Sequence, residues 1–90
     1  MRVWLNGRVV PIEQARVSVL DHGFTVGDGV FETLRLLRGA PFAPTRHIAR
    51  LQQSARALGL PVPDAELVAA AMADAVAANR SELDDHARLR

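Results

Sequence analysis

The alternation of apolar and polar positions divides the chain into two hairpins, two helices and a short final strand. Arg2-Val3-Trp4-Leu5 and Arg8-Val9-Val10 flank Asn6-Gly7. Both turn residues accept positive φ, so the segment predicts a strand, a type I′ turn and a second strand. Pro11 has no N–H to give to a ladder and ends that strand. Val17 and Val19 alternate with Arg16 and Ser18, which predicts a brief extended piece. Asp21-His22-Gly23 and Gly27-Asp28-Gly29 read as turns. From Val30 to Leu37 the period is two: Val30, Glu32, Leu34 and Leu36 share one face, and Phe31, Thr33, Arg35 and Leu37 the other. A tight turn at Arg38-Gly39 and a return over Ala40–Phe42 complete a second hairpin.

Pro44 breaks the extended pattern. Thr45 is the expected N-cap of a helix running to Leu58, because Ile48, Leu51, Ala55 and Leu58 recur at helical spacing. Gly59 stops this helix, and Pro61 and Pro63 forbid its continuation. Asp64 caps the next, with Glu66 in its first turn. Leu67, Val68, Ala71, Met72, Ala75 and Val76 form its apolar face, and further alanines raise its propensity. It fades near Asn79. Ser81 to His86 reads as a polar loop, and Ala87-Arg88-Leu89-Arg90 as the start of a strand. Segregated strands and helices predict an α+β fold: a largely antiparallel sheet of two hairpins plus a final strand, covered by two amphipathic helices.

Composition narrows the function classes. Ninety residues accommodate one small domain, whose stability margin is thin. Eleven basic residues against 10 acidic ones leave no nucleic-acid footprint. No apolar run approaches the ~18 residues of a membrane span, and the opening residues turn polar too early for a signal peptide. With no cysteine there is no disulfide framework and no thiolate metal site, and a cytoplasmic location is the expectation. All 11 basic residues are arginine. No lysine is present to form a Schiff base with a carbonyl compound.

The candidate chemistry is sparse. Gly27-Asp28-Gly29 lacks the third glycine and the following helix of a dinucleotide loop. His22, His47 and His86 are too widely spaced for a metal motif, so no metal site is expected. Glu32 lies beside residues able to line a pocket, but a strand carboxylate facing solvent explains it equally well. Arg50 falls about 120° from the centre of its helix's apolar stripe. At such a border an arginine can present its planar fork to a phosphate. From position alone, a solvated surface arginine is the simpler reading.

Several motifs occur together in register. Trp4-Leu5-Asn6-Gly7, Ala15-Arg16-Val17-Ser18-Val19, Asp21-His22-Gly23-Phe24, Gly27-Asp28-Gly29-Val30-Phe31-Glu32-Thr33-Leu34-Arg35 and His47-Ile48-Ala49-Arg50-Leu51 resemble the N-terminal part of the class IV aminotransferases, the fold-type IV pyridoxal-phosphate enzymes. The resemblance implies that Arg50, in the His-x-x-Arg-Leu motif, binds the cofactor phosphate. It implies that Phe31 and Thr33, and Val26 where some members carry an aromatic, line the substrate side. The family's catalytic lysine has no counterpart in these residues, so covalent attachment of pyridoxal 5′-phosphate is not possible within them, and no catalytic residue is assigned. Residues 1–90 are then expected to be the N-terminal, smaller domain of a longer enzyme, cut before its catalytic domain and inactive alone. The expected partners are a small-molecule amino substrate and a second copy in a homodimer, with no nucleic acid and no membrane. Thr33, where branched-chain enzymes often carry glycine, together with Asp21-His22-Gly23 and Gly27-Asp28-Gly29, makes the chain resemble most the aminodeoxychorismate lyases, which split 4-amino-4-deoxychorismate into 4-aminobenzoate and pyruvate. The alternatives are a branched-chain or D-amino-acid aminotransferase fragment and a non-catalytic dimerisation or phosphate-binding module.

Overall fold

The computed structural model describes all residues, Met1–Arg90. It has an α+β fold whose strands form two small antiparallel sheets. In the first, β1 (Arg2–Leu5) pairs with β2 (Arg8–Pro11). Asn6 (φ 49°) and Gly7 (φ 98°) both lie in the left-handed region, as the predicted type I′ turn requires. Pro11 is the last residue of β2, opposite Arg2. The second sheet has the order β4 (Ala40–Pro41), β3 (Leu34–Leu37), β5 (Arg88–Leu89). The final residues therefore do form a strand, antiparallel to β3, with Leu34 opposite Leu89 and Arg35 opposite Arg88.

The expected strand from Val30 is shorter in the structure. Ladder pairing begins at Leu34, and Val30–Thr33 form no ladder. Across the hairpin, Phe42 donates one more bond, 2.9 Å, to the Arg35 carbonyl. Ala43 (φ 53°) then turns the chain into a helix, so no partner remains for the segment before Leu34. The two-residue period nevertheless extends beyond the ladder. Leu34 and Leu36 are buried and Glu32 is nearly so, whereas Phe31, Thr33, Arg35 and Leu37 are exposed. The extended piece predicted around Val17 and Val19 does not become an element, because no neighbouring strand offers it hydrogen bonds. Asp21-His22-Gly23 opens a single helical turn, α1 (His22–Thr25), capped by Asp21 Oδ1 accepting from the Gly23 N–H at 2.8 Å.

The two long helices are α2 (Pro44–Ala57) and α3 (Ala65–Ala78). Thr45 is not the cap of α2. The helix starts one residue earlier with Pro44, whose missing N–H would be unpaired at that position in any case. Gly59 ends α2 as predicted (φ 69°). The Gly59 N–H bonds to the Arg56 carbonyl at 3.1 Å and the Leu60 N–H to the Ala55 carbonyl at 2.9 Å, a Schellman closure. Asp64 Oδ2 accepts from the Leu67 N–H at 3.0 Å and caps α3. A 3₁₀ turn, Arg80–Glu82, occupies part of the predicted polar loop.

Asn79, at the end of α3, ties that helix to β1. Its Oδ1 accepts from the Arg2 N–H at 2.7 Å, and its Nδ2 donates to the Arg2 carbonyl and to the Ala75 carbonyl, each at 2.8 Å. The amide thus stands in for a neighbouring strand at the edge of β1. The rest of the core is small: Val10, Leu34, Leu36, Ile48, Ala55 and Val76 are the only buried residues. The accessible surface is 6828 Å², against about 5,200 Å² for a compact monomer of 9.8 kDa. An open, mostly apolar groove of about 830 Å³ runs between the strands and the helices, lined by Leu34, Leu36, Ile48, Leu67, Met72 and Leu89 among others.

Asn79→Ala is expected to destabilise the fold by about 1–2 kcal/mol through the loss of three hydrogen bonds at a partly solvated site. The measurement is the urea midpoint, and an unchanged midpoint would show that β1 holds its place without Asn79. The 90 residues alone are expected to self-associate through uncovered apolar surface, read as a melting temperature that rises with protein concentration. A sharp transition that does not move with concentration would contradict this.

Candidate functional site

The one cluster of charged side chains drawn from separate elements lies where the segment preceding β3 faces the first turns of α2. Ala43 reverses the chain after β4, and Pro44 starts α2 with a preset φ. His47 and Arg50 then fall three residues apart and share a helix face. Glu32, carried onto the core side by the alternation of the strand, meets both. Its Oε2 lies 2.6 Å from His47 Nδ1. Its Oε1 lies 3.5 Å from Arg50 Nε, a charge contact rather than a well-formed hydrogen bond.

Burial differs sharply along this chain of contacts. The Glu32 side chain is 12% exposed, that of His47 22% and that of Arg50 69%. An ionised carboxylate can only accept, so the His47 contact places the hydrogen on Nδ1. Nε2 is left as the free ring nitrogen. The Arg50 contact, open to water, contributes on the order of 0–1 kcal/mol. Its two terminal nitrogens make no hydrogen bond within the protein. A cavity of about 220 Å³ is lined by Phe42, Ala43, Arg46, His47 and Arg50. Arg46 and Arg50, one helical turn apart, are both exposed. The donors that remain, two permanently charged planar forks, are of the kind that suits an anion.

The other residues expected at a site are placed less decisively. Phe31 is 63% exposed and carries the Arg90 guanidinium 4.1 Å from its ring centroid, a cation–π contact. Thr33 is exposed on the same side of the backbone, and Val26 is exposed at the C-terminal end of α1. Phe31 borders the large groove, whereas Thr33 and Val26 line neither cavity. Neither Glu32 nor His47 could be assigned from the sequence. The signal that could have found them is their pairing: a carboxylate in phase with Leu34 and Leu36 requires a cation on the element above it. No group of His, Asp and Glu side chains is arranged to hold a metal ion, and no helix is long and apolar enough to cross a membrane.

Comparison with known proteins bears directly on this cluster. The family model for amino-transferase class IV matches residues 29–90, the stretch that contains Glu32, His47 and Arg50. The chain belongs to the class IV aminotransferase family. Relatives carry several activities in their names. A protein of Methanocaldococcus jannaschii provisionally named a branched-chain-amino-acid aminotransferase is 46% identical over 63 residues, 70% of this chain and 22% of that protein. The aminodeoxychorismate lyase of Bacillus subtilis is 45% identical over 56 residues, 62% of this chain and 19% of the lyase. Among solved structures, a fold IV-transaminase from Curtobacterium pusillum superposes with a TM-score of 0.80 at 38% identity, over 90% of this chain and 27% of that one. A hypothetical aminotransferase from Mycobacterium tuberculosis in its PLP-bound form gives 0.82 at 32% identity, over 92% and 29%. This class IV chain therefore spans only about a fifth to just over a quarter of the length of the relatives it matches.

The site geometry makes one spectroscopic prediction. In the folded protein the His47 ring, when neutral, is expected to carry its hydrogen on Nδ1, visible in the ¹⁵N shifts of the imidazole. Glu32→Gln, whose amide can also donate, should release that preference. A neutral ring protonated on Nε2 in the unsubstituted protein would show that the Glu32 contact does not form.

Proposed function

We propose that residues 1–90 are the N-terminal domain of a pyridoxal-phosphate-dependent enzyme acting on small amino compounds, and that they supply the grip on the cofactor's phosphate. The observation that carries this reading is the Arg50 side chain. Its Nε edge faces Glu32, its terminal nitrogens are unengaged, and Arg46 stands beside the same cavity. A fork of N–H donors with a fixed positive charge suits a phosphate dianion. The fit is to the phosphate end only. With no lysine in the chain, these residues offer no covalent hold on the cofactor's carbonyl.

Pyridoxal phosphate, when bound, supplies an electron sink for charge developing on the substrate's α-carbon. The work of this chain's residues is to bind and orient. Arg50 holds the phosphate, while Phe31, Thr33 and Val26 border the substrate. The finer reading, a lyase that splits 4-amino-4-deoxychorismate into 4-aminobenzoate and pyruvate, rests on Thr33 together with Asp21-His22-Gly23 and Gly27-Asp28-Gly29. Transfer of an amino group from branched-chain or D-amino acids is the second reading, favoured by the names of several relatives. A homodimer and a cytoplasmic location belong to the same proposal. The exposed Val19, Leu20 and Phe24 are suited to a protein neighbour.

The test begins with the intact mass of the protein isolated from its source, which is expected to exceed 9.8 kDa. That protein should bind pyridoxal phosphate, and Arg50→Ala should weaken binding by at least roughly tenfold, since charge-assisted bonds to phosphate are among the stronger ones. Release of 4-aminobenzoate and pyruvate supports the lyase. Transfer of an amino group to a 2-oxo acid supports the transaminase. A native product of 9.8 kDa that binds no pyridoxal phosphate would overturn the proposal.

A further inference from the structure

We infer that Glu32 is a positioning residue for the phosphate-binding arginine, acting through both of its carboxylate oxygens. The inference rests on the reading of Arg50 as the phosphate grip and assigns the residue that aims it.

Three observations carry it. The Glu32 side chain is only 12% exposed, yet it stands on an otherwise apolar face in phase with Leu34 and Leu36. A charged group in that setting is costly unless paired, and the pair it finds is specific. His47 Nδ1 lies 2.6 Å from Oε2, which restrains the carboxylate at that oxygen. The other oxygen then faces Arg50 Nε at 3.5 Å. An exposed arginine is long and samples many rotamers. A charge held at its Nε selects among them, and Arg50 also lines the cavity that Phe42 and Arg46 border. His47 and Arg50 share one face of α2, so a single carboxylate on the strand side engages both.

Charge alone predicts the opposite effect. A carboxylate this close to Arg50 repels a phosphate and cancels part of the arginine's attraction. If Glu32 acted only through its field, removing its charge would tighten phosphate binding. If it aims the fork, removing it weakens binding, and only for ligands that carry the phosphate. The sign of the change separates the two roles.

The experiment uses the protein as its source makes it, freed of cofactor, and measures the affinity of pyridoxal 5′-phosphate and of pyridoxal, which lacks the phosphate. For Glu32→Gln, which preserves volume, the expected result is roughly tenfold weaker binding of pyridoxal phosphate with pyridoxal unchanged within about twofold, a scale typical of residues that orient a ligand-binding group. The same substitution placed on Arg50→Ala should add no further loss, because the group being aimed is gone. Glu32→Asp, which keeps the charge but shortens the reach, should also weaken only the phosphorylated ligand, and it carries the test if Glu32→Gln does not fold. Equal weakening of both ligands, tighter binding of pyridoxal phosphate, or an undiminished effect in the Arg50→Ala background would overturn the inference while leaving the cofactor proposal standing. An unsubstituted protein that binds pyridoxal phosphate no better than pyridoxal would overturn both.

Discussion

A carboxylate that continues the apolar face of a strand constrains everything around it. Glu32 shares its side with Leu34 and Leu36, and its charge is tolerated there because α2 brings His47 and Arg50 over it. Strand phase and helix rotation are therefore coupled. A slip of one residue before β3 would send Glu32 into solvent and turn Phe31 and Thr33 inward, leaving His47 and Arg50 without their carboxylate. The turn at Ala43 and the proline at the head of α2 set the short connection that makes the meeting possible.

Around that cluster the fold is held by few interior contacts. Six buried residues and an open groove of about 830 Å³ describe two sheets and two helices that do not fully cover one another. Polar ties carry part of the load. Asn79 serves as a surrogate strand for β1, and Gln52 Nε2 donates to the Pro63 carbonyl at 3.0 Å to join α2 to the connection before α3. The uncovered apolar surface is in keeping with a chain that spans about a fifth to a quarter of its relatives' length.

The division of chemical labour follows from composition and geometry together. Eleven arginines and no lysine make this stretch able to hold an anion and unable to attach a carbonyl compound. The Arg50 side chain is 69% exposed, so what it can do for a ligand depends on its orientation rather than on burial. Glu32 touches both His47 and Arg50, and Glu32 and His47 are the residues that the chain alone left unassigned.

Much of this was legible in the chain because it is local. Asn6-Gly7, Arg38-Gly39 and Gly59 mark places where the backbone turns left-handed, Asp64 is a cap, and the period of two from Val30 to Leu37 names the buried face. Such features depend on residues a few positions apart. Several motifs in register, the one around Arg50 among them, carried the family, since such a conjunction is far more specific than any one of them. What the chain could not show were the long-range pairings. The division of the strands into two sheets, the closing of β5 onto β3, the three bonds of Asn79 and the bridge from Glu32 to His47 and Arg50 all depend on residues that only the folded backbone brings together. Glu32 taken alone fits a solvated strand face as readily as a buried one. Its role was decided by which helix face came to lie above it, a property of tertiary packing that has no local signature.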